Sequence, residues 1–344
     1  MRALLLVLVL AFSGLAAPPA TAAPAAPRPV PVIYDSDLDL DDASTLAYLC
    51  VQHREHRIDL RAVTVTNNGF GTPGRARQHA LSILDRCGLP HIPVAEGTEP
   101  GVHPAPASSV ADVETILTAA LDDAGKTPPP AKLTAPQLIR RALTTAPGQV
   151  TVLATGPLTN LATALPAGSP LVHRVRDVFV MGGAVHVGGN LFGEALPGFD
   201  NSQELNIWLD PPAARDVFGA LPVTLTPLDA TNSVPITQDY VDRIGAEATT
   251  ASARIVHAIT THPIMRDGIA LGIYFWWDAL AAVFAFDDDG VVTDTARERV
   301  VVVQDGPQSG RTRPDPAGDR LTVALAADGA RFEQVFLDGL NGHR

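Results

Sequence analysis

The chain is poor in the residues that staple or charge many small proteins. Of its 344 residues two are cysteine (Cys50 and Cys87), two are lysine (Lys126 and Lys132) and 5% are aromatic. Two cysteines exclude a disulfide-dense scaffold, and no Cys/His spacing of the metal-binding type is present. They could pair after export or remain as two buried thiols, and spacing leaves both open. A net charge of −12 without a basic cluster excludes nucleic acid and anionic membrane as natural partners. Beyond the N-terminus no apolar run is long enough to cross a bilayer, and no internal repeat is visible.

What is present begins with a leader. Met1-Arg2, an apolar run from Ala3 to Ala17 and an A-x-A site at Ala20-Thr21-Ala22 describe a secretory signal peptide over residues 1–23. Residues 24–30 then read as a disordered leader of an extracellular protein, and 31–344 as a single domain, long but within range for an α/β enzyme.

Short apolar runs alternate with helical patterns through that domain. Val32-Ile33-Tyr34, Leu60 to Val65, Ile92 to Ala95, Val150 to Ala154, Val178 to Met181 and Val223 to Leu225 read as strands. Helical spacing runs from Asp42 to Val51 and from about Gly74 to Cys87. Near-continuous apolar strands with helices between them imply an α/β fold: an open, mostly parallel Rossmann-like sheet covered on both faces. Ligands of such sheets sit beyond the carboxyl ends of the strands. Residues 104–135 and 190–203 read as surface loops near that rim. Val300 to Val303, Leu321 to Leu325 and a last helix read as the outer part of the same sheet.

The most informative segment is Asp35-Ser36-Asp37-Leu38-Asp39-Leu40-Asp41-Asp42, with five carboxylates in eight residues. Placed on a strand-to-helix turn they repel one another unless a cation neutralises them. Ca²⁺ suits such an irregular cage of oxygens. A solvated acidic turn with helix-capping aspartates explains one or two of these residues, but not five directly after a buried strand. An EF-hand is excluded, because its loop glycine is missing and Leu46 stands where its glutamate belongs. A D-x-D after a strand also occurs in haloacid-dehalogenase-type phosphatases, which need a lysine in the right segment; Lys126 and Lys132 fall elsewhere.

Three further segments complete a pattern: Ala154-Thr155-Gly156-Pro157-Leu158-Thr159-Asn160-Leu161; Met181-Gly182-Gly183 leading to Asn190, Glu204-Leu205-Asn206 and Asp210-Pro211; and Trp276-Trp277-Asp278-Ala279-Leu280. In order, spacing and type, the four together resemble the nucleoside hydrolase family from about Val32 to the C-terminal helix. The resemblance implies calcium-dependent hydrolysis of the N-glycosidic bond of ribonucleosides to ribose and free base, by a homodimer or homotetramer. It implies metal ligation by Asp37, Asp42 (bidentate), Asp278 and the Thr155 carbonyl. It implies sugar contacts from Asp41, Asn68 (with Asn67 adjacent), Asn190, Glu204, Asn206 and Asp278, with Asp35 in support. Asp37 takes the proton of a water polarised by the ion. The alternative is an exported nucleoside- or ribose-binding protein of the same fold without efficient turnover.

The departures from the family pattern are also informative. Trp277 stands where many members have a histidine that serves as general acid. His103-Pro104-Ala105-Pro106 replaces an H-G-x-x-G-type segment. Both features resemble the purine-preferring branch, in which aromatic stacking on the base raises its basicity, and they make Trp277 the candidate stacking residue. No second stacking tryptophan is evident between residues 95 and 130. His103, His186, His257 and His262 are not assigned as catalytic. Leu38-Asp39 occupies the place where the family often has Pro-Gly.

Overall fold

Nine strands form one sheet in the computed structural model, which describes residues 29–129, 131–191 and 200–343. The expected signal peptide lies outside these residues, and the first strand already begins at Val30, the last position of the expected leader. In chain order the strands are β1 (Val30–Ser36), β2 (Ile58–Val65), β3 (Val94–Glu96), β4 (Val150–Ala154), β5 (Val175–Met181), β6 (Val223–Thr226), β7 (Val292–Val302), β8 (Thr312–Pro314) and β9 (Asp319–Ala327). Their order across the sheet is β3-β2-β1-β4-β5-β6-β9-β7-β8.

From β3 to β9 neighbouring strands are parallel, and β7 alone is reversed, antiparallel to both β9 and β8. Side chains of β1 alternate between two apolar cores: Val32 and Tyr34 face one, Ile33 the other. Helices therefore cover both faces, as a parallel sheet requires. Pro31 lacks an N–H, yet it is tolerated in this central strand, because pairing with β4 begins one residue later, at Val32.

The helix Leu40–Arg54 is buried along almost its whole length, from Leu40 to Gln52. It is a central element packed against Arg75–Arg86, Ala251–Thr260, Trp277–Phe286 and Gly329–Asn341. A helix buried on all sides shows a weak amphipathic signal, which explains why its sequence pattern understates its length. It starts at Asp39, whose Oδ1 accepts from the Asp41 and Asp42 amides at 3.2 and 3.3 Å, while Asp42 Oδ2 accepts from the Asp39 amide at 3.1 Å. This reciprocal capping box contributes on the order of 1 kcal/mol.

Two expectations are corrected. Residues 104–135 are not a loop: Ala107–Leu121 is a helix burying Val113, Ile116, Leu117 and Leu121. Its Ala, Ser and Thr residues supply little hydrophobic contrast, so the stripe is faint in sequence. The Glu204-x-Asn206 alternation, which in sequence places both polar side chains on one side of a strand or turn, does not form a strand. Glu204 instead caps the short helix Leu205–Leu209.

Candidate active site

The direction of chain winding reverses at β1, which pairs with β2 on one side and β4 on the other. The crevice beyond the carboxyl ends of such a pair is the expected ligand site, and here it receives the aspartate cluster from β1 and Thr155 from β4. The Thr155 amide donates to the Asp35 carbonyl at 2.9 Å, fixing the two strand ends together.

Asp35 is fully buried and serves as a brace. Its Oδ1 accepts from the Thr64 hydroxyl at 2.6 Å and the Asn160 amide at 2.9 Å. Burial lifts its pKa to about 7, against the lowering effect of those two donors. Asp37 comes next, its Oδ2 accepting from the Phe70 amide at 2.5 Å. The glycine at position 69 is required here, since a Cβ there would overlap the Asp37 carboxylate. Leu38 then takes φ +56°, a left-handed conformation that costs a leucine roughly 1–3 kcal/mol, and buries its side chain completely. The chain thereby turns sharply enough to start the helix at Leu40.

Asp42 is held from three directions. The Tyr34 hydroxyl donates to its Oδ1 at 2.8 Å, the Thr155 hydroxyl donates to the same oxygen, and the Asp39 amide reaches Oδ2. Asp278 comes from the far end of the chain, in the first turn of Trp277–Phe286, and its amide donates to Asp41 Oδ2 at 3.1 Å. Asp39, Asp41 and Asp278 each bring a carboxylate oxygen within 4.8 Å of the others. Burial raises the pKa of Asp37, Asp39, Asp41 and Asp278; neighbouring carboxylates push Asp37, Asp39 and Asp278 in the same direction, whereas at Asp41 hydrogen bonding to Asp39 opposes the rise. No arginine, lysine or histidine among the described residues forms an ion pair with this group.

Above the cluster opens a cavity of about 570 Å³. Asp41, Thr155, Asn190, Glu204, Asn206, Trp277 and Asp278 all line it, so seven of the residues singled out in sequence converge on one space. Asp37 and Asp42 are buried and are not among its lining residues. Asn68 is turned aside: its amide donates to the Thr159 hydroxyl at 2.9 Å, and Thr159 in turn donates to Asp210. The neighbouring Asn67 reaches the Gly97 carbonyl, so neither asparagine lines the cavity.

One wall is polar and tightly braced. Glu204 accepts from the amides of Gly183, Asn206 and Ile207 at 2.8, 2.9 and 3.1 Å. Burial nevertheless raises its pKa. Asn206 donates to the Thr155 carbonyl at 3.0 Å, and Asn190 Oδ1 accepts from the Leu205 amide at 3.0 Å. The lining also carries four aromatic rings, Phe70, Tyr274, Phe275 and Trp277. Phe275 and Trp277 pack at 5.5 Å between ring centroids, tilted by 41°. No lysine, arginine or histidine is among the described residues that line the cavity. His103 stacks on Trp208 outside the cavity, at 4.7 Å and 4° between planes, and His186 pairs with Glu298 at 3.0 Å. Cys50 and Cys87 are free and buried.

Sequence reasoning did not single out Tyr34, Thr64, Phe70 or Tyr274, and Asp210 stood there only as a member of its motif. Asn160 was visible only as the end of its motif. Thr64 and Phe70 act on Asp35 and Asp37, about thirty residues away in the chain, and the sole local sign was a polar residue inside an apolar strand, as at Thr64.

Comparison with known proteins adds an independent finding. The sequence profile described as "inosine-uridine preferring nucleoside hydrolase" matches residues 32–334. A pyrimidine-specific ribonucleoside hydrolase of Photobacterium profundum is 32% identical over 217 residues, which cover 62% of this chain and 65% of that protein. The matched stretch thus spans a little under two-thirds of that relative's length. The crystal structure of an inosine-uridine preferring nucleoside hydrolase from Bacillus anthracis matches with a TM-score of 0.78 and 25% identity, covering 91% of this chain and 99% of the other. A purine-preferring ribonucleoside hydrolase from Gardnerella vaginalis has the same fold, with a TM-score of 0.72 and 24% identity over 91% of this chain and 98% of that one.

Proposed function

The chain belongs to the inosine-uridine preferring nucleoside hydrolase family, and from that premise we propose that it hydrolyses the N-glycosidic bond of ribonucleosides in a calcium-dependent reaction, with purine nucleosides preferred. The observation that carries this reading is one cavity lined at once by the carboxylates Asp39, Asp41 and Asp278, by Asn190, Glu204 and Asn206, and by four aromatic rings.

The donor set fits a hard divalent ion. Asp37, Asp42, Asp278 and the Thr155 carbonyl would hold it, all oxygen donors, in a buried group without a protein cation to balance it. When bound, Ca²⁺ supplies the positive charge that neutralises these carboxylates and polarises nearby water.

The protein's own residues supply the rest. Asp37, fixed by the Phe70 amide, takes a proton as a water oxygen bonds to the anomeric carbon of ribose. The bond from that carbon to the base nitrogen breaks, and its electron pair leaves with the base. Ribose then carries oxocarbenium-like positive charge in the transition state, which the surrounding carboxylates stabilise. Asn190, Glu204 and Asn206 form the sugar-facing wall. Their hydrogen bonds to the backbone and to Thr155 hold them rigid, so little ordering is needed when substrate binds. Trp277 stacks on the leaving base and favours its protonation by solvent. This accords with the lack of a described histidine in the cavity and gives a flat purine more contact than a pyrimidine. The acidic lining favours substrates without a phosphate. Export of the mature chain through its leader, and assembly into a homodimer or homotetramer, belong to the same proposal.

Ribose release from inosine, adenosine, guanosine, uridine and cytidine, and from the corresponding 5′-monophosphates, tests it. The expected result is turnover of nucleosides, purines first, with the monophosphates at least about 100-fold slower because an unpaired anion enters an acidic cavity. Release mainly from uridine would overturn the base preference. No release from any nucleoside, with calcium bound, would overturn the activity.

A further inference from the structure

We propose that Asp39 is an additional ligand of the metal site, specific to this chain, which binds the divalent ion more tightly than the other carboxylates do alone. The proposal rests on the metal reading given above and extends it to a residue outside the ligand set that the resemblance implies.

Asp39 begins the helix Leu40–Arg54, and one of its oxygens satisfies the cap by accepting from the Asp41 and Asp42 amides. Capping accounts for Oδ1 alone, and Asp39 lines the cavity together with Asp41 and Asp278. The three residues bring ligand oxygens within 4.8 Å of one another. Two oxygens on a single Ca²⁺ are separated by at most twice the metal–oxygen distance, about 4.6–5.2 Å, so Asp39 can share one ion with Asp278, the member of the trio already assigned as a ligand.

A second observation points the same way. Asp278 is only 3% exposed and lines the cavity, yet its carboxylate accepts no hydrogen bond from an N–H or hydroxyl of any described residue. A buried carboxylate whose close neighbours are other carboxylates is missing a positive partner. Asp39 is the least buried of the three, which opens the group towards an ion arriving from solvent. Its direction is set by the left-handed turn at Leu38, whose side chain is anchored in the core. Where the family pattern has glycine after proline, the helix start offers no side chain at all. Here it offers a charge, and affinity in oxygen cages is tuned by the number of charged ligands.

Asparagine at this position keeps an oxygen acceptor for the cap and removes the charge, which separates the two roles. Calcium binding to metal-stripped protein is to be measured by titration calorimetry for the wild type, Asp39→Asn and Asp39→Gly, alongside thermal melting without metal. The expected result is one calcium per chain in all three, with the dissociation constant raised at least about tenfold in both variants. Metal-free Asp39→Asn should melt no lower than the wild type, because the cap is kept and repulsion is relieved. Asp39→Asn binding within twofold of the wild type would overturn the proposal. A wild type that binds no calcium would instead overturn the metal reading on which the proposal rests.

Discussion

The amide of Asp278 donates a 3.1 Å hydrogen bond to the carboxylate of Asp41, joining residues 237 positions apart in the chain. The contact locks the first turns of two helices, Leu40–Arg54 and Trp277–Phe286, across the mouth of the sheet. It carries one carboxylate to another against their mutual repulsion, an arrangement suited to a shared cation. Asp278→Ala removes a proposed ligand and keeps the backbone amide that makes this hydrogen bond. It is expected to lower kcat/KM for inosine by at least about 10³-fold and calcium affinity by at least about tenfold; steady-state kinetics and calcium titration check both.

Trp277 is expected to act through its ring. Trp277→Phe should keep most of the activity. Trp277→Ala should lower kcat/KM for inosine about tenfold more than for uridine, matching the roughly 1 kcal/mol attached to an aromatic contact. An equal loss for both nucleosides would assign the residue to packing against Phe275.

Asn160 donates a hydrogen bond to Asp35. Asn160→Ala leaves a buried carboxyl with one donor instead of two, so unfolding free energy should fall by about 1–3 kcal/mol. Chemical denaturation measures this directly, and Thr64→Val should behave alike.

These braces mark the limit of what is legible in the sequence. β-branched runs placed β1, β2, β4, β5 and β6 because both faces of a parallel sheet are buried, so the strands are apolar throughout. The insertion of β9 between β6 and β7 is decided by long-range pairing and has no local signature. The aspartate cluster was legible because its charge density is anomalous beside a buried strand. Tyr34, Thr64 and Thr159 were not, since a hydroxyl in an apolar segment looks the same whether it holds a carboxylate or only fills space. Glu204 was read as a sugar contact; its helix-capping role emerges only once Gly183 and Ile207 are seen to converge on it.

Without metal, stability should depend on pH in a direction the buried acids fix. The pKa of Asp35 rises from 3.8 to about 7, and those of Asp37, Asp39, Asp41 and Asp278 also rise. The folded state then holds protons that the unfolded chain has released, so their stabilising effect is full below about pH 4. It is lost as pH rises towards 7, where the folded Asp35 ionises. Metal-stripped protein should melt higher at pH 5 than at pH 7.5. Calcium, which favours the ionised forms, should reverse or abolish that difference. Calorimetric scans at the two pH values, with and without calcium, check the sign.

The central claim is that a calcium-loaded carboxylate cluster and Asp37 together cleave nucleosides. The measurement that tests it most directly is ribose release from inosine by metal-stripped protein during calcium titration, with bound calcium followed in the same samples and Asp37→Ala run in parallel. The account predicts that activity returns in proportion to the first calcium bound per chain, and that Asp37→Ala stays at least about 10³-fold below the wild type at calcium saturation. Full activity in the stripped protein, or in Asp37→Ala, would contradict it.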